Sequence, residues 1–298
     1  MTLKKILIVS GTHGNEINPV WAINQFNKQF KTIDKNIEYK FIIGNPLAYE
    51  RGCRYIDSDL NRSFNLKKNN FDSKIYEINR ANFLVKKFGV NGIEPCQIAI
   101  DLHTTTANMG TSIVMYGRRI KDFCLAALLQ HKFGLPIYLH EKDLKQTGFL
   151  VEAWPCGLVL EIGSVAQNFY DPKIINRFLI IISSLRDEIN KLKNNQIRLP
   201  KDLFVHVHQG SIDYPRDKNG NINALIHPER INQDWKPIKK GAPLFIDMEG
   251  KTKTYTDEDT IWPVFIGEVA YKEKNIAMSF TKKEVVNVSD QMYEEFFS

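Results

Sequence analysis

The sequence predicts an α/β fold: a mixed or mostly parallel sheet flanked by helices, followed by a smaller β-rich region at the carboxyl end. Three observations predict it. Short apolar runs alternate with helical stretches through the first two thirds of the chain. Runs such as Ile6-Leu7-Ile8-Val9 read as strands buried on both faces of a sheet. After about residue 200 the character changes, and Gly210, Gly220, Gly241 and Gly250 punctuate short segments.

Residues 6–9 form the first predicted strand. Asn18-Pro19 then opens a helix, with Asn as the cap and Pro in the first turn, continuing through Trp21, Ile23 and Phe26. Residues 39–43 are a second strand, ended by Gly44-Asn45-Pro46. Residues 75–87 have helical spacing and residues 98–102 form another strand. Strands at 111–116 and 158–162, with a helix at 122–133 between them, continue the pattern. A helical stretch at 174–193 ends in the polar run 191–196, which reads as a linker. The predicted domains are therefore 1–198, an α/β unit, and 199–298, a β-rich unit in which residues 203–208 alternate.

With 298 residues the chain can bury one large core plus a smaller one. Lys4-Lys5 is followed by only four apolar residues, too few for a signal peptide, and no apolar run approaches a membrane span. Cys53, Cys96, Cys124 and Cys156 are widely spaced, as free thiols of a cytoplasmic protein are. The net charge of +6 is spread over scattered pairs such as Lys67-Lys68, Lys86-Lys87 and Lys239-Lys240. With no nucleic-acid module beside them, they imply neither a nucleic-acid nor a membrane partner. A mild positive field suits a small anionic substrate.

The chemistry concentrates at strand ends. Gly11-Thr12-His13-Gly14-Asn15-Glu16 follows the first strand, and Asp101-Leu102-His103 ends a later one. Two imidazoles and a carboxylate at the carboxyl ends of α/β strands are a ligand set for catalytic zinc, with the fourth position open. Alone, His-x-x-Glu is a weak pattern and His103 could be a hydrogen-bonded core histidine. Between these half-sites lies Arg54-Tyr55-Ile56-Asp57-Ser58-Asp59-Leu60-Asn61-Arg62. Its arginines and Asn61 are suited to carboxylates, or alternatively pair with Asp57 and Asp59 on the surface. Glu161, inside Leu158-Val159-Leu160-Glu161-Ile162-Gly163, is costly there without a partner or a task. Beside a zinc-activated water it would act as general base and then general acid; alone it would be a buried ion-pair member. His206 and His208 share one face of an alternating strand with no third ligand in view, while His131 and His140 read as structural.

These stretches resemble aspartoacylase and the succinylglutamate desuccinylase group of zinc-carboxypeptidase-like amidohydrolases. The resemblance extends through Asn45-Pro46, Asp101-Leu102-His103-Thr104-Thr105-Thr106, His227-Pro228, Asp234-Trp235-Lys236-Pro237 and Pro263-Val264-Phe265 to Glu268-Val269-Ala270-Tyr271. It implies a zinc-carboxypeptidase-like fold, with His13, Glu16 and His103 holding one zinc ion per chain. It implies Glu161 as proton shuttle and Arg54 as the oxyanion partner. Asn61, Arg62 and Tyr271 would hold the amino-acid carboxylate, making Arg54, Asn61, Arg62, Glu161 and Tyr271 the substrate-contacting set. Asp101 would orient a ligand. The carboxyl-terminal region would cover the mouth and exclude peptides, and the family suggests a homodimer.

The activity implied is hydrolysis of an N-acyl amino acid, N-acetyl-L-aspartate foremost. Two departures bear on the side chain recognised. The family's arginine about ten residues before the catalytic glutamate is missing, where the chain reads Phe149-Leu150-Val151. Asn275 replaces its lysine four residues after the tyrosine, for which Lys274, Lys142 or Lys145 would have to substitute. A deacylase for neutral or aromatic N-acyl amino acids is the alternative, under which Val151→Arg is expected to improve N-acetyl-L-aspartate turnover. A non-catalytic metal-dependent binding module and a zinc carboxypeptidase are the other readings. Glu161 argues against the first, and a narrowed entrance against the second.

Overall fold

The computed structural model describes residues 5–29, 37–65, 73–141, 143, 146–198 and 200–297. Lys4, Lys67-Lys68, Lys142 and Lys145 lie outside the described residues. β1 (Lys5–Ser10) leads into α1 (Ile17–Gln29), and β2 (Glu38–Ile43) into the short α2 (Pro46–Arg51). There follow α3 (Tyr76–Phe88), β3 (Ile98–Thr105), β4 (Thr111–Tyr116), α4 (Ile120–Phe133), β5 (Ile137–His140), β6 (Cys156–Gly163) and α5 (Pro172–Lys193). The remainder supplies β7 (Asp202–Ile212), β8 (Ala224–Ile226), β9 (Pro243–Asp247), β10 (Thr252–Thr254), β11 (Trp262–Val264), β12 (Met278–Asn287) and α6 (Asp290–Phe297).

Nine strands make one mixed sheet in the order β11-β12-β7-β5-β4-β6-β3-β1-β2. β2, β1, β3 and β6 are parallel, and β4 reverses direction beside β6. β7, β11 and β12 belong to this sheet, so the last third of the chain extends it while also adding the antiparallel sheet β10-β9-β8. Two cores lie on opposite faces, as the period-2 pleat requires. Ile6, Ile8, Ile98 and Ile100 face α1, α4 and α5, whereas Leu7, Val9 and Ala99 face Ala81, Leu84 and Phe88 of α3 together with Trp154. Each such fully buried aliphatic side chain contributes roughly 1.5–3 kcal/mol. A third cluster, including Ile238, Phe245, Ile261 and Met278, supports the small sheet.

Most predicted elements occur with shifted ends. α5 starts at Pro172, where the Asp171 side chain accepts hydrogen bonds from Lys173 N and Ile174 N. α1 corrects the expected cap, because it begins at Ile17 and Asn18 lies inside its first turn. Asn18 Nδ2 donates to Phe169 O (2.9 Å) and its Oδ1 accepts from Asp171 N (2.8 Å). It therefore ties α1 to the start of α5 instead of capping its own helix. The four-residue strand β5 is too short to carry a period in the sequence.

Candidate active site

His13 and Glu16 lie on the turn between β1 and α1, His103 on β3 and Glu161 on β6. Arg54, Asn61 and Arg62 come from the segment between α2 and α3, and Tyr271 from the 3-10 turn Val269–Lys274. All eight line one pocket, together with Tyr116, Phe265 and Glu268. Close backbone approach brings the first two groups together. A Cβ on Gly14 would stand 2.1 Å from the Ala48 carbonyl carbon of α2. Only glycine lets the turn dock there, where Gly14 N donates to Arg54 O at 3.2 Å.

The two histidines present the same edge inward. His13 Nδ1 is 2.8 Å from Glu16 Oε1, and His103 Nδ1 is 3.0 Å from Glu16 Oε2. Their outer nitrogens are held by carboxylates: His13 Nε2 by Asp59 (2.9 Å) and His103 Nε2 by Asp101 (2.7 Å). Asp101 in turn accepts from Thr12 Oγ1 at 2.7 Å. One donor atom from each of His13, Glu16 and His103 lies within 4.8 Å of the other two, and all three residues are buried. Carboxylate-backed imidazoles converging with a carboxylate fit a divalent transition ion. Burial disfavours charge on Glu16, but His13 and His103 overcome this and hold its carboxyl far below the usual range. Burial likewise opposes charge on the His103 ring, and Asp101 and Glu16 raise it well above the ordinary value nonetheless.

Several polar atoms around this centre have no partner. Glu161 Oε2, Arg54 Nε and Arg62 Nε are enclosed without a hydrogen bond among the described residues. Buried polar groups of this kind need a partner, whether water, an ion or a ligand, and here three of them line one pocket. Burial pushes the Glu161 carboxyl up to about 8; His103 opposes the rise, and Glu16 and Glu268 add to it. Burial also raises the Tyr271 hydroxyl, which stays a protonated donor. Arg54 reaches Glu16 Oε1 and Asp59 Oδ2, both at 3.4 Å. Asn61 Oδ1 accepts from Leu150 N at 2.8 Å, leaving its NH2 as the outward group. The Arg62 guanidinium lies 4.0 Å over the Phe149 ring, which stacks at 3.6 Å on Tyr116. The free space amid these groups is ≈ 30 Å³, room for about one water. A larger cavity of ≈ 810 Å³ shares Arg62 as a lining residue.

Three supporting residues, Glu77, Glu268 and Tyr116, have no role legible in the sequence, and Asp59 has one only as a partner for the segment's arginines. Asp59 backs His13 and pairs with Arg54 in a buried position, whereas Asp57 accepts from Tyr76 N at the start of α3. Glu77 shapes the Arg54 segment by accepting from Ile56 N (2.7 Å), Asp57 N (3.1 Å) and Ser58 N (3.1 Å). Glu268 accepts from the Thr105 hydroxyl, from Thr106 N (2.8 Å) and from Ala107 N (3.2 Å), latching the Tyr271 turn onto the end of β3. Tyr116 lines the pocket from β4. Only Asp59 carried a local signal, its place inside the arginine segment.

Val151 corrects another expectation. It is 0% exposed in the core, with its Cβ only 2.7 Å from where a Cβ on Gly157 would stand. Arginine there would bury a charge in apolar packing instead of reaching substrate, so Val151→Arg is expected to unfold the protein and not to restore a grip. Arg119 binds Asp122, Trp154 O and Val151 O, away from the site. Lys274 lines the large cavity 3.9 Å from Asp59 Oδ2, and burial beside Arg62 lowers its amine to about 8. Asn275 Oδ1 accepts from Arg216. His206 sits against Thr281, Trp235 and Trp262, whereas His208 meets Tyr138 and His140. Among the described residues no helix is long and apolar enough to cross a membrane.

Comparison with known proteins gives a consistent picture. Residues 2–189 match the family model described as "Succinylglutamate desuccinylase/Aspartoacylase catalytic domain", and residues 201–283 the "AstE/AspA barrel-sandwich hybrid domain". A protein named probable aspartoacylase from Prochlorococcus marinus subsp. pastoris is 93% identical over the full length of both chains. Another of that name, from a second Prochlorococcus marinus strain, is 82% identical, also over the full length of both. The crystal structure of murine aminoacylase 3 superposes with a TM-score of 0.87 at 28% identity, covering 97% of this chain and 98% of that one. The succinylglutamate desuccinylase of Chromobacterium violaceum shares the fold, with a TM-score of 0.64 at 19% identity, covering 95% of this chain and 85% of that one.

Proposed function

We propose that this chain, which belongs to the succinylglutamate desuccinylase/aspartoacylase family, is a zinc-dependent amidohydrolase that removes the acyl group from an N-acyl amino acid, with N-acetyl-L-aspartate the leading substrate. The observation behind this reading is the convergence of His13, Glu16 and His103 with Glu161 and Arg54 in one buried pocket.

His13, Glu16 and His103 would hold one zinc ion, which supplies Lewis acidity toward water and the acyl oxygen when bound. Glu161 takes a proton from the attacking water on its enclosed Oε2 and returns it to the amine nitrogen as the C–N bond breaks. Arg54 donates to the oxyanion that develops on the acyl oxygen, and its buried, unpartnered Nε supports that role. Arg62, the Asn61 amide and the Tyr271 hydroxyl hold the amino-acid carboxylate. The Phe265–Tyr271 segment narrows the pocket, which suits small substrates better than peptides. We place the reaction in the cytoplasm, where the unpaired Cys53, Cys96, Cys124 and Cys156 stay reduced.

A second reading, a deacylase for neutral or aromatic N-acyl amino acids, is favoured by the Tyr116 and Phe265 rings on the pocket wall. The zinc-loaded protein should be compared by kcat/KM on N-acetyl-L-aspartate, N-acetyl-L-phenylalanine and N-acetyl-L-methionine. Preference for aspartate supports the first reading, and preference for the neutral pair supports the second. No turnover of any of the three by zinc-loaded protein would remove both.

A further inference from the structure

A second group of metal-ligating side chains lines the larger cavity. β5 and β7 are parallel neighbours, with Tyr138 paired to His206 and Leu139 to Val207. One residue further along, the His140 and His208 rings lie side by side, with centroids 4.9 Å apart. Asp143 turns back toward them, its Oδ2 3.6 Å from His140 Nε2. One donor atom from each of His140, Asp143 and His208 falls within 4.8 Å of the other two. We propose that these three residues form a second binding site for a divalent transition-metal ion, separate from the one at His13, Glu16 and His103.

The spacing supports an ion better than a direct contact. At 3.6 Å the His140 to Asp143 separation is too long for a hydrogen bond. It is close to the ~3.4 Å between neighbouring ligands of a tetrahedral ion with metal–ligand bonds of about 2.1 Å. Outer partners orient the ligands. Tyr138 Oη is 2.8 Å from His208 Nδ1, and Gln146 Nε2 donates to Asp143 Oδ2 at 3.2 Å. Arg62 and Lys274 line the same cavity and repel cations. Binding against that field needs strong ligands, and two imidazole nitrogens with one carboxylate suit a transition ion, whereas calcium and magnesium need several oxygen ligands. Access is open, since Asp143 and His208 both line the ≈ 810 Å³ cavity.

The test is a count of ions on the whole protein, independent of catalysis. Chelator-stripped protein is equilibrated with micromolar zinc, and bound metal is measured by mass spectrometry. Two equivalents per chain are expected for the wild type and one for His208→Ala. Asp143→Ala, a change at a partly exposed loop residue, should also bind one, and it decides the matter should His208→Ala fail to fold. His13→Ala should keep one equivalent, which His13→Ala/Asp143→Ala then loses. Equal zinc content in wild type and Asp143→Ala overturns the second site, whatever that content is. Failure of His13→Ala alone to lower the count speaks against the catalytic centre instead.

Discussion

His103 on β3 and Glu161 on β6 are direct partners in the parallel register of the central sheet. Neighbouring strands lie about 4.8 Å apart and in-register side chains share a face. Backbone hydrogen bonding between two buried strands thus fixes the distance from a proposed metal ligand to the proposed proton carrier. Replacing Glu161 by Gln should lower kcat about 10²–10⁴-fold, the usual contribution of a general acid–base, with zinc content unchanged. Full turnover in that variant would take Glu161 out of the mechanism.

The same adjacency gives a pH prediction. Burial first, then Glu16 and Glu268, lift the Glu161 carboxyl to about 8 in metal-free protein. A divalent ion beside it favours the charged carboxylate, so its pKa should fall on loading. Infrared difference titration of the carboxylate band, with Glu161→Gln as the blank, reads the midpoint in both forms. An upward or absent shift would mean that Glu161 does not face the ion.

Asp101 holds His103 Nε2 at 2.7 Å and is itself held by Thr12. Asp101→Asn should weaken zinc binding roughly 10–100-fold, as loss of a carboxylate behind a ligating histidine does. Competition against a chromophoric chelator measures this directly, and unaltered affinity would leave Asp101 a purely structural role.

Glu268 and Tyr271 share one turn, and Glu268 fastens that turn to residues 105–107. Cutting the latch with Glu268→Ala should loosen Tyr271, raising KM for N-acyl amino acids roughly tenfold, the size expected for lost charged hydrogen bonds. kcat should change less. A fall in kcat at constant KM would instead assign Glu268 to the chemical step.

Glu77 is fully buried, and its carboxylate accepts from Asn45 Nδ2 as well as from the backbone of residues 56–58. Glu77→Ala strands these donors and should cost on the order of 3 kcal/mol in urea unfolding. A loss below about 0.5 kcal/mol, the range of ordinary surface changes, would show that the Arg54 segment is held by other contacts.

The sequence alone determined what is local. The His13-to-Glu16 turn, the Asp101-to-His103 strand end and the Arg54-to-Arg62 segment each lie within nine residues or fewer, so their donor chemistry and flanking apolar runs could be read directly. Tertiary structure decided what depends on register and direction. Glu268 meets Thr105 across 163 positions, and Glu77 reaches back 19 to 21 positions to the residues it fixes. His208 finds His140 because β5 lies beside β7, not because His206 is two residues away on its own strand. Val151 points into the core even though its neighbour Phe149 stacks beside the pocket. Residue identity sets which atoms can bind or transfer a proton. Strand pairing and pleat direction set which of them meet, and short windows of sequence do not encode those relations.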